Sequence, residues 1–238
     1  MDNHLRSVTL LQEKFPTAEY YPFTLPIFHQ TRHLAFDSPV TLFVGENGAG
    51  KSTLLEALAY ACGIHIWRRT DVPRTRVNLY EKELYRCLKV DWADGSVNGG
   101  FFGSDIFRDF ADLLEEWAES DPGQLAYFGG KSLVTQSHGQ SMMAYFRARY
   151  KIRGLYLLDE PETALSPHSQ IELLEIIEEN SQSGHAQFII ATHSPILLAC
   201  ARATIYSFDC ASVEPIRYED TDHYQVYRRF LLERQPSG

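Results

Sequence analysis

The chain has 238 residues, 22 Lys and Arg against 31 Asp and Glu, a net charge of −9 and 44% hydrophobic residues. At that length a chain buries roughly 70–75% of its unfolded surface, so one domain around one sizeable core is expected, and a wholly disordered chain is excluded. The acidic balance excludes bulk coating of nucleic acid but leaves room for a local basic face. The longest apolar run, Phe188 to Phe208, is broken by His193, Ser194, Pro195 and Arg202, so no span of the ~20 residues a bilayer needs is expected. Met1-Asp2-Asn3-His4 offers neither a basic nor an apolar leader region. With four dispersed cysteines (Cys62, Cys87, Cys200, Cys210) and no C-x-x-C, the reading is a cytoplasmic chain with reduced thiols.

In chain order, Tyr21 to Val44 alternates apolar pairs with turn residues: Phe23-Thr24-Leu25, Ile27-Phe28 and Leu34-Ala35-Phe36 predict two or three short antiparallel strands. Val40 to Val44 predicts a buried strand running into Gly45. A helix follows, with Leu54, Leu55, Leu58 and Ala61 at helical spacing, and stops near Gly63. In the middle, Leu88 to Trp92 and Val97 to Phe102 predict a hairpin across Asp94-Gly95. Asp105 to Glu119 is an amphipathic helix, with Ile106, Phe110, Leu113, Leu114 and Trp117 on one side, ended by Asp121-Pro122-Gly123. Ser141 to Tyr150 reads as a helix and Leu155 to Leu158 as a buried strand. Ser166 and Pro167 open a helix that ends before Ser183-Gly184. Phe188 to Ala191 is a second buried strand, followed by a short helix from Pro195 and a strand at Thr204 to Phe208. Thr221-Asp222 caps a last helix through Leu232. Buried strands alternating with helices predict an α/β fold with a mostly parallel core sheet.

Gly45-Glu46-Asn47-Gly48-Ala49-Gly50-Lys51-Ser52 fits G-x-x-x-x-G-K-[ST] in full, between a predicted strand and a predicted helix. Its glycines let successive N–H groups converge on phosphate oxygens, and the helix adds its positive end. Lys51 is the candidate for the β- and γ-phosphates and Ser52 for Mg²⁺. Asn47, Ala49 and Thr53 complete the candidate cradle. The strand Leu155 to Leu158 ends in Asp159-Glu160, placing Asp159 as a carboxylate for Mg²⁺ through water and Glu160 to polarise an attacking water. His193 ends the next buried strand, where a γ-phosphate contact is the expected role. Gln136-Ser137-His138-Gly139-Gln140-Ser141 opens a helix, and Ser137 with the N–H groups of Gly139 and Gln140 forms an anion-binding start.

These elements together resemble the ATP-binding-cassette ATPases. Their order matches, and so do the intervals of 22 positions from Ser137 to Asp159 and 34 from Asp159 to His193. Pro161 to Ser166 sits where that family has its D-loop. The resemblance runs from about Val40 to Phe208. It implies the cassette fold: a mostly parallel core sheet, a small N-terminal antiparallel β subdomain and a helical subdomain. The whole chain is read as one domain, with residues 20–62 and 151–238 as core and 63–150 as a middle segment carrying the helical signature part. Three departures stand out. The family's Leu-Ser-Gly-Gly-Gln signature is here Gln136-Ser137-His138-Gly139-Gln140. No glutamine loop is identifiable: Gln124 follows a Pro-Gly turn, and Phe101-Phe102-Gly103-Ser104 stands in its place with Ser104 as a weak substitute. No stacking aromatic is assigned among Tyr20, Tyr21 and Phe28.

The degenerate signature, Glu160-Pro161-Glu162 and Ala191-Thr192-His193-Ser194-Pro195 look more like the soluble RecF-like, SMC-like and overcoming-lysogenization-defect types, and small stand-alone bacterial ATPases. Only about 84 residues separate Ser52 from Ser137, too few for a long coiled-coil arm. The resemblance implies two ATP bound with Mg²⁺ between two head-to-tail copies, Ser137, Gly139 and Gln140 of one closing over the γ-phosphate held by the other. Three outputs follow: a motor or switch in DNA repair or phage defence, the nucleotide-binding subunit of a membrane transporter, or a non-catalytic scaffold for an effector protein. The transporter output is weakened by the missing glutamine loop, and the scaffold by intact Glu160 and His193. Two basic runs, Trp67-Arg68-Arg69 with Arg74 and Arg76, and Arg147, Arg149, Lys151 and Arg153, are the nucleic-acid hint. Solvated faces or ion pairs are the plainer reading of both.

Overall fold

A computed structural model describes residues 3–68, 78–121, 123–128, 130–182 and 184–234. Its main sheet has six strands in the order β5-β6-β7-β3-β8-β9. These are β3 (Val40–Val44), β5 (Gly99–Gly103), β6 (Gly154–Asp159), β7 (Ala186–Ala191), β8 (Thr204–Ser207) and β9 (Glu214–Ile216). All neighbours are parallel except β8 and β9. A second, antiparallel sheet has the order β2-β1-β4, from β1 (Leu5–Leu10), β2 (His33–Ala35) and β4 (Leu88–Trp92).

The apolar strands alternate between two cores. Leu155 and Leu157 of β6 and Ile189 and Ala191 of β7 join the core that packs against α2 (Lys51–Ala61) and the antiparallel sheet. Tyr156, Leu158, Phe188 and Ile190 face the other core, under α5 (His138–Arg149) and α6 (Pro167–Gln182). This is why β6 and β7 read as continuous apolar runs: period-2 alternation leaves no face for water when helices cover both. Complete burial of one such side chain, Phe188 for instance, contributes about 1.5–3 kcal/mol. Gln187, buried in β7, joins the two sheets by accepting from the Leu5 N–H and donating to the Leu5 carbonyl, both at 2.8 Å.

Three readings of the elements are corrected. Phe23 to Phe28 is not strand. Pro26 opens the short helix α1 (Pro26–Gln30), with Ile27 and Phe28 buried, because a proline at the first helical position presets φ and gives up no hydrogen bond. Leu34-Ala35 does lie in an antiparallel strand, β2, but its partner is β1, earlier in the chain. The hairpin at Leu88 to Phe102 does not form either: β4 pairs with β1 and β5 with β6. Gly99 decides the second pairing, since a Cβ there would lie 2.2 Å from the Leu155 carbonyl oxygen, so only glycine allows the close approach. Finally, α5 begins at His138 rather than Ser141. Ser137 is its N-cap, and the Ser137 N–H donates to Gln140 Oε1 at 3.2 Å, one arm of a capping box.

Helices α3 (Phe107–Ser120), α7 (Pro195–Leu198) and α8 (Asp222–Glu233) follow the pattern, and a short helix the sequence reading did not include, α4 (Gly123–Ala126), comes after α3. Helix α8 is capped by Thr221, whose hydroxyl accepts from the Tyr224 N–H. Its Tyr227, Phe230, Leu231 and Leu232 are exposed. No described helix is long and apolar enough to cross a membrane, and all four cysteines are free.

Candidate nucleotide-binding site

Register brings the predicted residues to one edge. Phe43 of β3 and Asp159 of β6 both lie level with Ala191 of β7. The residues just past that line (Gly45 after β3, Glu160 after β6, His193 after β7) therefore emerge together at the carboxyl ends of parallel strands, the usual place for a ligand in an open α/β sheet.

The loop from Gly45 to Gly50 has its glycines at positive φ, +149° at Gly45, +81° at Gly48 and +106° at Gly50. Gly50 is both the N-cap of α2 and packed on Phe28, whose ring carbon would stand 3.1 Å from an added Cβ. No side chain caps α2, so its first N–H groups stay available to an anion. Glu46 N–H is held by Asp209 Oδ1 at 2.7 Å. Lys51, only 5% exposed, donates from Nζ to the carbonyls of Gly45 at 2.5 Å and Glu46 at 3.0 Å. Burial pulls its pKa below the ordinary lysine value, against the opposing pull of Glu160, Asp209, Asp159 and Glu46.

Ser52 Oγ donates to Asp159 Oδ1 at 2.9 Å, joining the start of α2 to the end of β6. Burial pushes the Asp159 carboxyl up to about 7, although the Ser52 hydrogen bond favours its charged form. A hydroxyl and a buried carboxyl at contact distance are hard oxygen donors, which fits Mg²⁺. Glu160 takes φ +46°, a left-handed conformation rare for a side-chain-bearing residue. Its Oε1 lies 3.7 Å from His193 Nε2. Such strain clusters at functional sites.

A cavity of about 150 Å³ lies over this loop, bounded by Lys51, Ser52 and Thr53, by Asn47 and Gly48, and by Glu160 and Tyr21. Tyr21 also hydrogen-bonds Thr53 through its hydroxyl and borders a further cavity of about 230 Å³ shared with Glu56, Tyr60 and Arg68. Phe28 is fully buried and is removed from the candidate aromatics. Ser104 follows β5 and donates its N–H to the Asp159 carbonyl at 3.3 Å, which puts that segment beside the carboxyl pair.

Ser137, Gly139 and Gln140 do not line the cavity over the loop. They form the first turn of α5, with Ser137 and Gln140 exposed. Gly139 packs so closely on the D-loop that a Cβ would meet the Ala164 oxygen at 2.8 Å. Within the basic runs, Arg68 pairs with Glu56 at 2.9 Å, Arg147 with Glu172 at 2.5 Å, and Arg149 donates to the Gly99 carbonyl at 3.1 Å, while Lys151 and Arg153 are exposed. Arg69, Arg74 and Arg76 lie outside the described residues.

Three supports were missed from sequence. Asp209, after β8, holds the loop through Glu46. Glu162, inside the D-loop, accepts the His193 N–H at 2.6 Å with Oε1, and burial raises its pKa. His223, on α8, meets His193 Nδ1 at 3.0 Å through its Nε2. Glu162 had a signal in its fixed offset from Asp159. The other two contacts span distant strands and helices, and no local pattern announces them.

A phosphate loop, a strand-end carboxyl pair and an adjacent strand-end histidine at one sheet edge define a P-loop nucleotide-binding protein. Family models agree: an AAA-domain model matches residues 26–87, and another AAA-domain model, whose description also names the AbiEii toxin and type IV toxin–antitoxin systems, matches 140–199. The thiamine import ATP-binding protein of Cereibacter sphaeroides is 31% identical over 175 residues, 64% of this chain and 69% of that one. The corresponding protein of a Ruegeria species is 28% identical over 167 residues, with the same coverage. Among solved structures, a metal-chelate-type ABC transporter in an inward-facing conformation aligns over 95% of this chain and 88% of its own, at a TM-score of 0.55 and 19% identity. The chain belongs to the ATP-binding-cassette-type P-loop ATPases.

Proposed function

We propose that the chain binds Mg-ATP at the Gly45–Thr53 loop and hydrolyses it as an ATP-dependent head-to-tail homodimer. The reading rests on one observation above the rest: Ser52 and Asp159 in contact at 2.9 Å, with Glu160 and His193 3.7 Å apart, at the strand ends beside the Lys51 loop. Ser52 and Asp159 would hold Mg²⁺, which when bound supplies positive charge to the β- and γ-phosphate oxygens. The loop amides and Lys51 bind the phosphates. Glu160 orients and polarises the attacking water, and His193 donates to the γ-phosphate. This is positioning and charge neutralisation, with little covalent work for the protein. Tyr21, bordering both cavities, is the candidate aromatic placed to meet the base.

The position of the signature supports the dimer. The exposed first turn of α5, carrying Ser137, Gly139 and Gln140, lies outside its own chain's cavity and is free to cover the nucleotide of a second copy. Glu160→Gln keeps the shape of the site while removing the base, and should accumulate a dimer in Mg-ATP by light scattering after size exclusion. A variant that stays monomeric defeats the sandwich.

For the output, we favour a cytoplasmic motor or switch of the RecF-like and SMC-like kind, acting in DNA repair or phage defence. Support comes from the altered signature, the absence of a glutamine after β5 and the family model that names toxin–antitoxin systems. One observation favours a transporter subunit instead: the relatives of known name include import ATP-binding proteins. Linear double-stranded DNA separates the two. Stimulation of hydrolysis that fades with added salt supports phosphate contacts, whereas indifference to DNA points to a protein partner, a permease or an effector.

A further inference from the structure

His193 is held at two points. Glu162 takes its backbone N–H, and His223 meets its ring, Nδ1 to Nε2 at 3.0 Å with ring centroids 5.2 Å apart. The outer nitrogens of the pair, His193 Nε2 and His223 Nδ1, are buried and make no hydrogen bond among the described residues. His223 reaches this place because the start of α8 is anchored beside it. Tyr218 donates its hydroxyl to the Pro195 carbonyl at 2.9 Å, and the Thr221 hydroxyl donates to the Tyr218 carbonyl at 2.7 Å. Pro195 lies two residues beyond His193, so both halves of the imidazole pair are fixed to the same turn.

A neutral imidazole carries one N–H, and a bond between two neutral rings uses one proton. Two arrangements are possible. If His193 Nδ1–H donates to His223, then His193 Nε2 is bare and can donate to nothing. If His223 Nε2–H donates to His193, the His193 proton sits on Nε2, the nitrogen that faces Glu160 Oε1 at 3.7 Å. What lies on that side is a carboxylate and, in the proposed reaction, phosphate oxygens, all acceptors. Acceptors select the second arrangement, since which ring nitrogen bears the proton is set by the partner of the other.

We propose that His223 is a positioning residue for ATP hydrolysis: by donating from Nε2 to His193 Nδ1 it keeps the His193 proton on Nε2, aimed at the γ-phosphate. The inference rests on the ATPase reading above and adds to it a residue from the last described helix. No local motif marks His223, whose ring meets the ring of His193.

The test has two arms. In the wild-type full-length chain, long-range ¹⁵N–¹H correlation spectra, with His193 and His223 identified by their Gln variants, report which nitrogen carries each proton. His193 in the Nε2–H form is the expected result, and His193 in the Nδ1–H form overturns the proposal whether or not the protein hydrolyses ATP. In steady-state kinetics, His223→Ala should lower kcat by about 10–100-fold, the range for residues that orient a site group through a hydrogen bond, while KM for ATP changes little. His223→Gln, which retains an N–H donor, should recover much of the loss. Combined with His193→Ala, His223→Ala should add almost nothing, because the two act as a unit. Wild-type kcat in His223→Ala, or losses that multiply in the double variant, refute the inference while leaving the ATPase reading intact. A wild-type chain with no hydrolysis fails that reading instead, and the spectra still decide the tautomer.

Discussion

Asp159 links the site to stability. Its carboxyl is buried at the end of β6 and pushed up to about 7, against 3.8 for a free side chain. A carboxyl raised in the fold binds more protons folded than unfolded between those two values. The stability it contributes is therefore present at low pH and lost as pH rises through the folded value. For one carboxyl with these two pKa values, the linkage relation gives a loss of about 2–3 kcal/mol between about pH 5 and pH 8. Asp159→Asn keeps an oxygen to accept the Ser52 hydroxyl but cannot ionise, so it should lack this loss. Urea unfolding of both proteins in a chelator, across that pH range, measures the difference directly. The wild type should lose stability relative to Asp159→Asn as pH rises, ending the less stable of the two. A difference between the proteins that stays constant with pH, or grows in favour of the wild type, refutes the burial argument.

Other perturbations probe separate parts of the structure. Gly99→Ala would place a methyl 2.2 Å from the Leu155 oxygen and 2.7 Å from Ile64, so β5 must shift from β6. A loss of about 1–3 kcal/mol in urea unfolding is expected, and a neutral substitution would contradict the β5–β6 pairing. Glu162→Ala leaves the His193 N–H without its 2.6 Å acceptor and should cost about 1–3 kcal/mol, together with a fall in kcat. Lys51→Ala removes the buried ammonium from the phosphate loop, and calorimetric titration should find ATP affinity reduced at least tenfold, on the scale of charge-assisted bonds to phosphate.

How much could be read in advance depended on how local the cause was. The phosphate loop, Asp159-Glu160 and His193 were legible because a glycine pattern and two apolar runs place each at a strand end, and parallel register then aligns the ends. The helix opened by Pro167 and the strand at Ala186–Ala191 followed from capping and burial in the same way. The pairing of β4 was not legible. Leu88, Val90 and Trp92 announce a half-buried strand, but the choice of β1 as partner is made by residues some 80 positions away. β1 itself is interrupted by a register shift between Leu5 and Ser7, which blurs its alternation. At α1, Pro26 outweighed the β-favouring Phe23, Ile27 and Phe28. The contact between His193 and His223 joins β7 to α8 over 30 residues. The cap at Thr221 announced that helix without saying where it docks.

In the function proposed above, the residues gathered at the strand ends hydrolyse ATP. The experiment is release of phosphate from Mg-ATP by the purified chain, beside Glu160→Gln, with nucleotide binding measured in parallel. Turnover by the wild type, with a fall of about 100-fold or more in Glu160→Gln and ATP binding retained, is the expected result. Equal rates in the two proteins would mean that Glu160 does not activate the water and that the strand-end residues are not a hydrolytic site.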